Sequence, residues 1–79
     1  MKNKIFKIMK ALLKVNDESI LQTLTVDNCA KWDSLKHLEL ITSLENKFNV
    51  VFELEEVINM TNFYSIYDII EKKVMSSNL

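Results

Sequence analysis

Ser34 is the residue of this chain best placed for covalent chemistry. It lies in Trp32-Asp33-Ser34-Leu35, directly before Lys36-His37-Leu38-Glu39-Leu40-Ile41-Thr42-Ser43-Leu44-Glu45, a run with helical periodicity. A serine there presents its hydroxyl at the opening of an amphipathic helix. Unpaired backbone N–H groups and the positive end of the helix dipole favour a phosphate at such a point. This is what a chain needs if a phosphorylated group is to be hung from one exposed hydroxyl. Serine is also a favoured N-cap, so Ser34 taken alone reads first as the residue that opens the helix.

The elements that must position this serine follow from apolar spacing. Ile5, Ile8, Met9, Leu12 and Leu13 predict a first helix with lysines on its opposite face. Asn16-Asp17-Glu18-Ser19 breaks that pattern with cap and turn chemistry. Residues 20–32 read as an ordered loop pinned by Ile20, Leu21, Leu24 and Val26, with a helical turn at its start and a turn signal at Asp27-Asn28. A second helix opens at Ser34, capped by Asp33 or by Ser34 itself. Its buried stripe reads as Leu35, Leu38, Ile41, Leu44 and Phe48, with Leu40 beside it and Asn49 as the stop. Val50, Val51 and Phe52 are too few for a strand with no partner and read as a packed loop. Glu53 to Asn59 makes a short third helix, with acids in its first turn where the dipole favours them. A last helix opens at Thr61-Asn62, buries Phe63, Ile66, Ile69, Ile70 and Val74, and frays from Ser76. The expectation is an all-α four-helix bundle: three main helices, one short one, and a long loop between the first two. Residues 1–79 read as one domain.

Composition narrows the function. With 48% hydrophobic and 27% charged residues, the chain reads as globular rather than disordered. It has no glycine and no proline. Glycine-dependent phosphate loops and chains of tight hairpins are therefore excluded. The net charge is −1, and all ten basic residues are lysines. Neither an overall basic balance nor arginine is present, which argues against nucleic acid. Lys2, Lys4, Lys7, Lys10 and Lys14 form a basic face on the first helix, either a solvated face or a surface for a membrane or an anionic partner. The lone Cys29 cannot form an internal disulfide and points to a reducing compartment. No apolar run reaches the length of a membrane span, and lysines interrupt the N-terminal segment, so a cytoplasmic protein is expected. One histidine and one cysteine, without paired titratable groups, offer neither a metal site nor a catalytic constellation.

From Trp32 to about Lys72 the chain resembles the acyl carrier proteins. The family's Asp-Ser-Leu signature stands as Asp33-Ser34-Leu35 and its Glu-Leu-(Ile/Val) continuation as Glu39-Leu40-Ile41. Its Leu-Glu…Phe is Leu44-Glu45-Asn46-Lys47-Phe48, its acidic short helix Glu53-Leu54-Glu55-Glu56, and its closing Thr…Asp-Ile-Ile runs from Thr61 to Asp68-Ile69-Ile70. The tripeptide alone is weak. The ordered series over half the chain is specific. The resemblance implies a bundle of acyl-carrier type, no enzymatic activity, and a 4′-phosphopantetheine arm on Ser34 whose thiol holds acyl groups as thioesters. It implies as partners a phosphopantetheinyl transferase and acyl-loading and acyl-transferring enzymes with basic docking patches. Asp33, Leu35, Glu39, Glu45, Glu55 and Glu56 become partner contacts, and Leu44, Phe52, Val57, Met60 and Ile66 line an acyl-chain cavity.

The chain departs from the strongly acidic carriers of primary fatty-acid synthesis. Lys36, His37, Asn46 and Lys47 dilute the acidic face of the second helix, and Trp32 replaces a small residue before Asp-Ser-Leu. A specialised polyketide, lipid or surface-glycan pathway is the expectation, with bulk at Val57 and Ile66 disfavouring long acyl chains. The carrier is expected to be a monomer. An aminoacyl or peptidyl carrier is the neighbouring alternative, although those usually have glycines before the serine. A helical interaction module without a prosthetic group is the alternative from another class. His37, one turn beyond Ser34, reads as a surface residue without a role or as a contact to the arm's phosphate. Trp32 reads as a loop anchor.

Overall fold

The computed structural model describes residues 1–77. They form five helices: α1 Lys2–Leu13, α2 Glu18–Leu21, α3 Ser34–Phe48, α4 Leu54–Asn59 and α5 Phe63–Ser77. Among the described residues no strand forms, and Thr25 and Asn62 make an isolated antiparallel bridge. The all-α expectation holds. α2 is the helical turn foreseen at the start of the long loop, and the other four are the helices that the periodicity predicts. α5 continues to Ser77, so the expected fraying from Ser76 is not seen there; Asn78 and Leu79 lie outside the described residues.

α1 begins with lysines against the helix dipole, no acid in its first turn, and no side-chain cap from Met1. Its order comes instead from a buried face of Ile5, Phe6, Met9 and Leu13. Phe6 replaces Ile8 and Leu12 at the centre of that face, and both of those are only partly buried. The Phe6 ring stacks on Phe63 of α5, with centroids 4.2 Å apart and planes 4° from parallel. This contact ties the first helix to the last.

On α3 the buried residues are Leu40, Ile41 and Leu44, with Phe48 packed against them. Leu35 and Leu38 are exposed, contrary to the stripe read from the sequence. The reason is geometric. Successive steps of three residues fall about 60° short of a full turn, so Leu35 and Leu44 end on opposite sides of the helix. Ile20, read as a loop anchor, is also exposed, while its neighbour Leu21 is fully buried.

Side chains and left-handed residues close the helix ends. Asp17 accepts from Ser19 N at 2.8 Å and Ile20 N at 3.4 Å to open α2. At the start of α5, Ser65 N donates to Asn62 Oδ1 at 2.8 Å and Asn62 N to Ser65 Oγ at 3.2 Å. α1 and α3 end at Lys14 (φ 56°) and Asn49 (φ 54°). Asparagine tolerates this region, whereas lysine carries a steric cost from its Cβ of about 1 kcal/mol. Lys14→Gly is therefore expected to stabilise the fold by about 1 kcal/mol. Urea unfolding of the two proteins measures this, and an unchanged or lowered midpoint contradicts it.

Candidate functional site

The segment that delivers Ser34 is tied down by its own polar residues. Thr25 Oγ1 accepts from Asp27 N and Asn28 N at 3.2 and 3.1 Å. Asn28 replies through Oδ1, which accepts from Thr25 N at 2.7 Å, and through Nδ2, which donates to Thr23 O at 3.1 Å. Val26 N donates to Thr61 O at 3.1 Å, joining this loop to the α4–α5 junction. Trp32 then turns inward and is 2% exposed, the loop anchor the sequence suggested.

A histidine bridge fixes the next step. Trp32 Nε1 donates to His37 Nδ1 at 3.0 Å, and His37 Nε2 lies 2.9 Å from the carbonyl oxygen of Val57. An indole nitrogen can only donate, and a carbonyl can only accept. The imidazole is therefore the neutral tautomer with its proton on Nε2. One ring thus joins the loop before Ser34, the first turn of α3 and the last turn of α4. His37 is neither a free surface residue nor a contact for the arm's phosphate, because both its nitrogens are engaged.

The bridge is one tie of α4, beside Val57, which packs against the core. It has six residues, none of them buried, and a helix of this length is not stable alone in water. A second tether comes from Glu56, which accepts from Glu53 N at 2.8 Å and pairs with Lys73 of α5 at 2.9 Å. The hydrogen bond from Glu53 N holds the Glu56 carboxyl below its ordinary 4.5, helped by Lys73 against the opposing effect of burial.

Ser34 itself is exposed and is the first residue of α3. The cap is Asp33, whose side chain accepts from Lys36 N at 2.9 Å and whose backbone carbonyl accepts from His37 N at 2.9 Å. Ser34 Oγ makes no hydrogen bond within the described residues, so the helix does not need it. Beside it opens a groove of about 540 Å³, lined chiefly by the apolar groups of Val26, Trp32, Leu38, Val57 and Ile58, with Asp33, Ser34, His37 and Thr61.

The remaining predicted residues divide sharply. Of the four glutamates read as partner contacts, three have internal work. Glu39 pairs with Lys36 at 3.3 Å, Glu45 Oε2 accepts from Phe52 N at 2.9 Å, and Glu56 holds α4. Glu55 and Leu35 are exposed. Of the five cavity residues, Val57 lines the groove, while Leu44, Phe52, Met60 and Ile66 are buried in the core. Leu35 was among the expected partner contacts, whereas the exposure of Leu38 on α3 and of Leu54 and Ile58 on α4 was not foreseen. Their signal was available as the pair Leu54 and Ile58, four residues apart on a short helix.

The chain is 37% identical over 71 residues to the acyl carrier protein of Buchnera aphidicola subsp. Baizongia pistaciae (strain Bp), an alignment covering 90% of this chain and 91% of that one. This chain belongs to the acyl carrier protein family. No family model matches it. As an acyl carrier protein it is a carrier and not an enzyme, and it works with acyl-handling enzymes. The family generally carries phosphopantetheine. No helix among the described residues is long and apolar enough to cross a membrane.

Two outcomes follow for this acyl carrier protein. His37→Ala leaves the buried Trp32 N–H without its acceptor and removes a donor from Val57 O, which is expected to destabilise the fold by about 1–3 kcal/mol. Amide exchange in residues 54–59 is expected to rise more than in α1 or α5, and uniform exchange across the helices contradicts the bridge. The lowered Glu56 carboxyl stabilises α4 fully above about pH 4.5, and this contribution disappears as pH falls through the folded value. Backbone shifts of residues 54–59 should move towards coil values on such acidification, with this component absent in Glu56→Gln.

Proposed function

We propose that Ser34 carries 4′-phosphopantetheine and that residues 1–79 act as one carrier domain for acyl thioesters. The observation that carries this reading is the uncommitted Ser34 hydroxyl: Asp33 caps α3, which removes the helix-opening role as an account of the serine. The surroundings fit the group. Ser34 and Leu35 occupy the first positions of α3, where backbone N–H groups have no partner within the helix and an anion is favoured. The groove beside Ser34 offers apolar wall to whatever hangs from it. When bound, the arm supplies a terminal thiol that holds acyl groups as thioesters. The chain's own part is to present one oxygen on a fixed helix end and to keep the wall beside it in place through His37.

Lys36, His37, Asn46 and Lys47 dilute the acidic face of α3, which supports a specialised pathway, of polyketide, lipid or surface-glycan type, over primary fatty-acid synthesis. Enzymes of the latter are steered to strongly acidic carriers. Burial of Leu44, Phe52, Met60 and Ile66 supports weak sequestration of long acyl chains, since close-packed interiors leave little room. The proposed setting is cytoplasmic, and the carrier a monomer that meets a phosphopantetheinyl transferase and then its acyl-loading and acyl-transferring enzymes.

The deciding measurement is intact mass after incubation with coenzyme A and a broad-specificity phosphopantetheinyl transferase. One phosphopantetheine is expected on the wild-type chain and none on Ser34→Ala. No addition to a folded wild-type chain with several transferases overturns the reading and favours a helical interaction module.

A further inference from the structure

α1 stands apart electrostatically from the rest of the chain. The stretch from Lys2 to Lys14 holds Lys2, Lys4, Lys7, Lys10 and Lys14 and no acid. The whole chain has a net charge of −1, so everything beyond this stretch has an acidic balance. The inner side of α1 is spent in the core through Ile5, Phe6, Met9 and Leu13. On its outer side, steps of three and four residues bring Lys4, Lys7, Ala11 and Lys14 onto one strip. All four are exposed.

Three of these cations have no internal partner. Lys10 pairs with Glu18 at 2.8 Å and Lys2 lies 5.1 Å over the Tyr67 ring. Lys4, Lys7 and Lys14 make no ion pair among the described residues. Of the acids that follow in sequence, Glu18 meets Lys10 and Asp17 caps α2. The strip also works against the fold. Lys10 and Lys14 are like charges four residues apart, and Lys2 and Lys4 oppose the dipole at the start of α1. These charges subtract from stability, so packing gives no account of them.

The strip carries charge without shape. Asn3 and Ala11 are the exposed residues among its lysines, and Ile8 and Leu12 at its margin pack against the core. A protein partner takes its strength from desolvated aromatic or aliphatic anchors, which this strip lacks. A plane of lipid headgroups asks only for a row of cations within reach. We propose that α1 lays Lys4, Lys7 and Lys14 on the anionic headgroups of a lipid surface and holds the carrier there loosely, by charge alone. With its apolar side in the core, α1 cannot sink into the interface as amphipathic anchor helices do. It contributes no residue to the groove beside Ser34, so this seating leaves the serine uncovered.

The test is flotation of the full chain with vesicles of phosphatidylcholine, alone or mixed with phosphatidylglycerol. Each lysine near an anionic surface gives roughly a fivefold gain in binding, which salt screens. Binding to the anionic vesicles is expected at about 0.05 M salt, at least about tenfold above neutral vesicles, and is expected to vanish at roughly 0.5 M. Joint Lys4→Gln, Lys7→Gln and Lys14→Gln substitution is expected to weaken it more than about tenfold. Lys31→Gln, at an exposed lysine outside α1, is expected to weaken it less than about twofold. Thermal melts check the folding of the variants, and the lipid and salt comparisons need none. Equal binding to neutral vesicles, binding that survives high salt, or an equal loss in Lys31→Gln overturns the proposal. So does a lack of vesicle binding; retention on immobilised polyglutamate through the same lysines then assigns the strip to an acidic protein. The mass added at Ser34 is measured separately, so neither reading falls with the other.

Discussion

Much of the site rests on where the imidazole of His37 spends its two nitrogens. α4 buries no residue and is too short to persist by backbone hydrogen bonding, so its position must come from outside. His37 provides this at one end and the Glu56–Lys73 pair at the other. The same ring satisfies the buried Trp32 indole, without which that N–H would be a costly orphan. Loop, α3 and α4 are joined at this one ring, and α4 is held besides by Val57, packed against the core, and by the buried Phe52 and Met60 at its two ends. Exposed ion pairs such as Lys10–Glu18 and Lys36–Glu39 contribute far less, since water screens them.

The serine and its helix were legible in the sequence because their chemistry is local. Asp33-Ser34 at the start of an apolar-periodic run fixes both a cap and an exposed hydroxyl, and Asn49 ends the helix by its tolerance of the left-handed region. The orientation of α3 was not legible, because the helix carries two apolar faces. Leu35 and Leu38 form one, and Leu40, Ile41 and Leu44 the other. Periodicity finds both and cannot say which meets the core. The role of His37 was hidden for a different reason, as its second partner lies 20 residues away at Val57. Hydrogen bonding was hidden in the same way: composition counts carboxylates but does not show that Glu45 and Glu56 accept from backbone N–H groups.

Lack of glycine shapes the chain as much as any contact. Without it, left-handed helix ends fall to Lys14 and Asn49, and no close backbone loop can be built around a phosphate. Whatever anion Ser34 carries must be met by a helix end. The long loop, having no flexible residue, is held by the mutual bonds of Thr25 and Asn28 instead. The serine thus follows a loop held by its own side chains and opens a helix capped by Asp33.

The position of Trp32 has a practical meaning. It is the sole tryptophan of the chain, packed into the interior on one side and forming a wall of the groove beside Ser34 on the other. Its indole is fixed through the same ring that steadies α4. The protein therefore contains a single indole fluorophore, selectively excited at the red edge of the aromatic band, placed where core, groove and tethered helix meet. Its emission is an optical gauge of all three, readable without any added dye.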